Sequence, residues 1–217
     1  MRLTAEDGDA LVWTLHDSKL FSVSSFYSAL AGRREVDFLW KAIWCTSAPR
    51  KISFFAWTAA WGAIMTLDKL QKRGFSLANG CRLCGEEEES GNHLLIHCMV
   101  ARDLWCLLLS LFGVQWVLLR SVKDSLSWWG GFWIRKDRKK LWCVAPLCLM
   151  WSLWIERNRR IFEDKEQPTV RLKYSFLNFL HFWVENSFPM YVDTLVDFVG
   201  SFGLQAFLLP APVLLYM

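Results

Sequence analysis

Apolar residues recur along this chain mostly at helical spacing. In residues 50–63, RKISFFAWTAAWGA, they fall on two stripes: Phe54, Trp57 and Trp61 on one, Ile52, Phe55 and Ala59 on the other. The pattern predicts a helix buried on more than one side, with Pro49 in its first turn. Upstream, Asp37 starts a helix in which Trp40, Ile43 and Trp44 recur at i, i+3 and i+4. Downstream, Thr66 is placed to cap LDKLQKRG, which buries Leu67 and Leu70 and ends at Gly74. Residues 99–112 carry a leucine run that stops at Gly113, and residues 121–129 predict a short helix or turn before Gly130 and Gly131. Residues 137–163 predict one long helix kinked at Pro146. Residues 169–188 predict another, with Leu172, Phe176, Phe179, Leu180 and Trp183 on one face and Pro189 as its stop. Strand-like alternation occurs only near the N-terminus. Val12–Leu15 and Leu20–Val23 flank His16-Asp17-Ser18 and predict a hairpin, after which Ser24 or Ser25 caps a short helix through Phe26, Tyr27 and Leu30.

One stretch fits neither period. Cys81 to Cys98, CRLCGEEEESGNHLLIHC, has the spacing C-x2-C-x8-H-x4-C. Three thiols and an imidazole this close suit tetrahedral Zn²⁺, and four protein ligands make such a site structural, with no open position for catalysis. Gly85 can relax the C-x2-C turn, and Asn92 is placed to cap a helix that His93 opens. On a regular helix His93 and His97 share a face, whereas Cys98, five residues on, reaches the same ion only if the turn is distorted. Cys81, Cys84 and His93 are therefore expected as ligands, with Cys98 as the fourth and His97 as its competitor. The fold class expected is mostly α: a helical domain with a small N-terminal β-hairpin and one structural zinc knuckle-like site.

Charge alters the picture locally. The net charge of the 217 residues is only +4, but residues 41–74 carry six Lys/Arg against one Asp/Glu, residues 75–100 one against four, and residues 120–140 seven against two. Glu86 to Glu89 beside three thiolates would repel phosphate, so any RNA or DNA is expected on the basic helices. The candidates are Lys51, Lys69, Lys72 and Arg73 in one block and Arg135, Lys136, Arg138, Lys139 and Lys140 in the other. The plainer reading of such charges is a solvated helix face. Fourteen tryptophans and 53% hydrophobic residues exclude disorder. Seven cysteines after a polar, acidic N-terminus lead to an expectation of nucleus or cytoplasm rather than secretion. Residues 198–217 hold no charge, but Gly200, Gly203, Pro210 and Pro212 interrupt them, so an apolar tail is expected rather than a membrane span. No G-x-S-x-G or phosphate-loop motif occurs, and no small-molecule substrate is expected.

The succession FSVSSFY, WKAIW, APRKISFFAW, TLDKLQKRG, C-x2-C, HLLIHC and LW resembles the zinc-binding domain at the C-terminus of plant LINE-type (non-LTR) reverse transcriptases. The resemblance covers about residues 11–105, with markers at Phe21, Ser22, Trp40, Trp44, Pro49, Phe54, Phe55, Trp57, Thr66 and Leu70. It implies Cys81, Cys84, His93 and Cys98 as the metal ligands and Zn²⁺ as a structural ion. The run ERNRRIF at 156–162 resembles a frequent ending of related fragments. No Asp-Asp pair of the polymerase type occurs. The resemblance therefore implies a non-catalytic, retroelement-derived module: an accessory nucleic-acid-binding domain separated from its polymerase. The alternative is a relic or protein-interaction module in which zinc only staples the fold. The expected organisation is a flexible N-terminus (1–10), the zinc-binding domain (11–112), a helical extension (113–195) and the apolar tail (196–217).

Overall fold

The computed structural model describes residues 20–26, 35–44, 48–115, 119–131 and 139–185, with the single positions 14 and 200. In chain order the helices are α1 (Glu35–Ile43), α2 (Arg50–Ala60), α3 (Leu67–Lys72), α4 (Met99–Phe112), α5 (Val122–Gly131), α6 (Lys139–Phe162) and α7 (Thr169–Glu185). A π-helical turn, His93–His97, lies between α3 and α4. Among the described residues there is no strand.

α6 organises the rest. Its residues Val144 to Met150 are buried without a break, so it is covered on every side. It packs against α7, α2, α4, the π turn, α1 and α5. A single apolar core runs from Leu39 through Cys81, Leu94 and Leu108 to Trp183, and crosses residue 112 without interruption. Pro146 lies inside α6 and cannot donate to the carbonyl of Trp142, four residues earlier. The indole N–H of Trp129 on α5 donates to that carbonyl instead, at 2.7 Å. The indole of Trp142 returns the bond to the Trp129 carbonyl at 3.0 Å, and the two rings stack with centroids 3.8 Å apart. The predicted long helix is therefore one element through Pro146, its missing bond supplied from a neighbour.

The ERNRR run ties α6 to the segment around the cysteines. Glu89 and Arg157 are both buried, and the guanidinium Nε donates to both carboxylate oxygens at 3.2 Å. The same carboxylate accepts from the Leu67 N–H at 2.9 Å, one of the unpaired donors at the start of α3. Glu156, also buried, accepts from Arg160 Nε and from the Gln167 N–H, both at 2.9 Å, and so fixes the loop into α7.

Several expectations are corrected. The first predicted strand, Val12–Leu15, lies outside the described residues except for Thr14, which is in a turn. The second, Leu20–Val23, is not a strand: Val23–Phe26 are helical. Ser22 caps that turn, accepting from the Ser25 N–H at 3.1 Å while Ser25 Oγ accepts from the Ser22 N–H at 3.2 Å. This reciprocal cap prevails over the alternation of side chains, and neither Ser24 nor Ser25 is the N-cap. On α2, Phe54, Trp57 and Trp61 are 57%, 40% and 51% exposed, so that stripe faces outward. The core takes Ile52, Phe55, Ala56 and Ala59, because α6 covers only one side and offers Trp151 and Trp154 to the Phe55 ring. Trp40 is likewise exposed, while Leu39 and Ile43 are buried; on α7, Leu177 is buried and Phe179 exposed. No described helix is long and apolar enough to cross a membrane, and the tail from residue 201 lies outside the described residues.

Two stability measurements follow. Arg157→Ala leaves the Glu89 carboxylate buried without its partner and should cost about 3–5 kcal/mol in chemical denaturation, while Arg157→Met combined with Glu89→Gln should recover part of that loss. Trp129→Phe removes the donor to the Trp142 carbonyl and should cost about 1–3 kcal/mol. A loss below about 0.5 kcal/mol would show that the carbonyl needs no indole partner.

Candidate metal centre

The C-x2-C turn is built by backbone bonds. The Gly85 N–H donates to the Cys81 carbonyl at 2.8 Å, with Gly85 at φ +74°, and the Cys81 N–H donates to the Glu87 carbonyl at 2.7 Å. A side chain at Gly85 would be strained in that left-handed conformation. The other half is the π turn, in which the Cys98 N–H donates to the His93 carbonyl, five residues back, at 2.7 Å. A five-residue bond sets Cys98 one turn above His93, where an ordinary helix would set His97. Ser90, rather than Asn92, caps the segment: its Oγ accepts from the His93 N–H at 3.1 Å. Asn92 serves α5 instead, accepting from the Val122 N–H at 3.1 Å.

Cys81, Cys84, His93 and Cys98 converge, their ligand atoms all within 4.8 Å of one another. The Cys81 and Cys98 sulfurs are 3.9 Å apart, and Cys84 Sγ is 3.4 Å from His93 Nε2. A zinc tetrahedron requires about 3.8 Å between sulfurs and about 3.6 Å between sulfur and nitrogen. Both separations lie close to those values, so the donor set suits the ion. His97 turns away, its Nε2 3.1 Å from the Arg120 carbonyl.

The surroundings favour a charged site. Glu87 Oε2 lies 3.0 Å from His93 Nδ1, so Nδ1–H donates to the carboxylate and Nε2 is left free for the ion. Arg160 Nη1 donates to the carbonyls of Leu83 and Arg82 at 2.9 and 3.2 Å and holds the turn between the two cysteines. With no ion bound, the hydrogen bond from Cys98 draws the Cys81 thiol down to about 5, while that bond and burial push Cys98 up. A bound cation reverses the second effect, since it takes both sulfurs as thiolates. Sequence reasoning missed Glu87 and Arg160. A run of charges reads as a solvated surface; only the ERNRRIF resemblance pointed toward Arg160.

Glu89 does not belong to the repulsive acidic loop, being sealed under Arg157, whereas Glu86 and Glu88 are exposed. Of the basic candidates, Lys51, Lys72 and Arg73 are exposed, Lys69 is half-buried, and Lys72 pairs with Asp68 at 3.2 Å. Lys139 and Lys140 are exposed at the start of α6; Arg135, Lys136 and Arg138 lie outside the described residues.

Residues 21–105 match the family described as zinc-binding in reverse transcriptase. Over 171 residues, the chain is 23% identical to an Arabidopsis thaliana protein carrying the provisional name of ribonuclease H protein. The match takes in 76% of this chain and 27% of that protein, so the chain spans about a quarter of its relative's length. No solved structure gives a significant match.

Metal assays test the centre. Purified protein should release one zinc per chain to a colorimetric chelator, and Cys84→Ser should release none. His97→Ala should retain the metal, and a loss there would move the fourth ligand. Glu87→Gln should weaken zinc binding by about ten- to a hundredfold with the ligands intact. Because loading requires the Cys98 thiol to lose its proton, zinc binding should release protons near neutrality and weaken as pH falls.

Proposed function

We propose that this chain, whose residues 21–105 belong to the reverse-transcriptase zinc-binding family, is a non-catalytic accessory module that holds nucleic acid through its basic helices. The observation that carries the reading is the separation of charge around the knuckle. Glu86, Glu87 and Glu88 are exposed beside three sulfurs, which disfavours phosphate there. Lys51, Lys69, Lys72 and Arg73 stand on α2 and the α3 end, with Asp68 the one acid in their stretch. Zinc shapes the segment and leaves chemistry elsewhere, since four ligands fill its coordination.

The relative's name raises ribonuclease H activity as a question for this chain. Hydrolysis of that kind uses carboxylate-held divalent ions about 4 Å apart. Among the described residues, the group able to hold a metal is the Cys/His set. An RNA–DNA hybrid incubated with Mg²⁺ should therefore survive, and steady cleavage would overturn the non-catalytic reading. Unoxidised thiols around a zinc site favour a reducing compartment, nucleus or cytoplasm. A second reading, that zinc only staples a helical fold, draws support from Arg160 and Arg157, which spend their charges inside the protein.

A fluorescence titration with a labelled single strand across a salt series separates the two. Affinity should fall steeply with salt, and neutralising Lys69, Lys72 and Arg73 together should flatten the slope by up to about three units. Glu86→Gln with Glu88→Gln should leave binding unchanged or tighter. Salt-independent affinity would sink the phosphate account, and absence of binding would leave the staple.

A further inference from the structure

An exposed aromatic residue has to be explained by what it meets, and α2 with its C-cap residue Trp61 carries three along one face. Phe54, Trp57 and Trp61 lie at i, i+3 and i+7, each at least 40% exposed, on the face opposite the core. Arg50, one turn before Phe54, is exposed in line with them. The Phe54 and Trp57 rings are 5.9 Å apart and tilted by 35°. At the other end, Lys123 of α5 sits 5.1 Å from the centroid of Trp61. Lys69 Nζ stands at the same end, 4.0 Å from where a β-carbon on Gly62 would lie. α2 itself contains no carboxylate.

We propose that the outer face of α2 is a stacking platform for unpaired bases of a single-stranded nucleic acid. The inference rests on the nucleic-acid reading above and names which form of nucleic acid is taken. At helical rise the chain advances about 10 Å from Phe54 to the C-cap residue Trp61. That is the length of about three stacked nucleotides at about 3.4 Å each. Arg50 at one end and Lys69 at the other then meet the phosphates that flank those bases. The cations select this occupant over an apolar protein surface, which would bury their charges without partners. The rings select a single strand over a duplex, whose bases already stack on one another and present only edges.

The test uses the full chain loaded with zinc, a labelled oligothymidylate, a duplex of equal length and an abasic strand with the same phosphates. Phe54→Leu with Trp57→Leu keeps an apolar surface and removes the π faces. It should weaken oligothymidylate binding about tenfold or more, leave the salt slope unchanged, and leave duplex and abasic-strand binding as they were. Trp61→Leu gives an independent variant, and an unchanged melting temperature confirms that the exposed substitutions leave the fold alone. The wild-type chain should itself hold the abasic strand about tenfold less tightly than oligothymidylate. Equal affinity of wild type and Leu variants for oligothymidylate would overturn the platform while leaving the basic helices as the site. No binding of any strand by the wild type would overturn both. A wild-type dimer in sedimentation that the Leu variants dissolve would assign the face to a second copy of the chain and overturn the proposal.

Discussion

The Glu89–Arg157 ion pair is the constraint on which the arrangement depends. The two residues lie 68 positions apart and both are buried, so neither charge survives without the other. A buried pair adds little net stability over apolar substitutes, but losing one partner is costly, and so it fixes register more than it adds energy. Here it sets α6 against the cysteine segment, and Glu89 at the same time closes the first turn of α3. α6, the cysteine segment and the start of α3 are thereby held in one orientation.

With α6 in place, Arg160 reaches the carbonyls of the C-x2-C turn, and Glu87 comes to His93 from within the loop. The four donors thus rest on both sides of the sequence, near them and some eighty residues away. The positive charge of Arg160 lies close to a centre that carries three sulfurs, where it offsets some of their repulsion. Acid and base around the knuckle are accordingly partitioned: the base points inward to the turn, while Glu86 and Glu88 point outward to water.

Helix positions were legible from the sequence because 3.6-residue periodicity and terminal signals such as Gly113, at φ +64°, are local. The faces were less legible. Phe54, Trp57 and Trp61 form as good a stripe as Ile52, Phe55 and Ala59, and only the position of α6 decides between them. The convergence of Cys81, Cys84 and His93 followed from spacing, yet whether Cys98 or His97 joins them turned on a helix type that periodicity does not reveal. A carboxylate run looks uniform in sequence, but Glu89 differs from its neighbours by a partner in another helix. The hairpin was expected from alternation at residues 20–23, and the Ser22 cap, with the bond returned by Ser25, outweighed it.

The exchange of indole bonds between Trp129 and Trp142 bears on how the chain can be divided. A helix interrupted by proline loses its continuity when alone in water, so the first half of α6 holds its shape only while α5 is beside it. α6 in turn carries Arg157 and Arg160 to the knuckle. A fragment cut after α4 would keep every metal donor yet lose the arginines that shape their turn. The stretch that carries the family match, residues 21–105, thus leaves out residues that its own cysteine turn leans on, so the extent of sequence similarity and the extent of mutual support in the fold do not coincide.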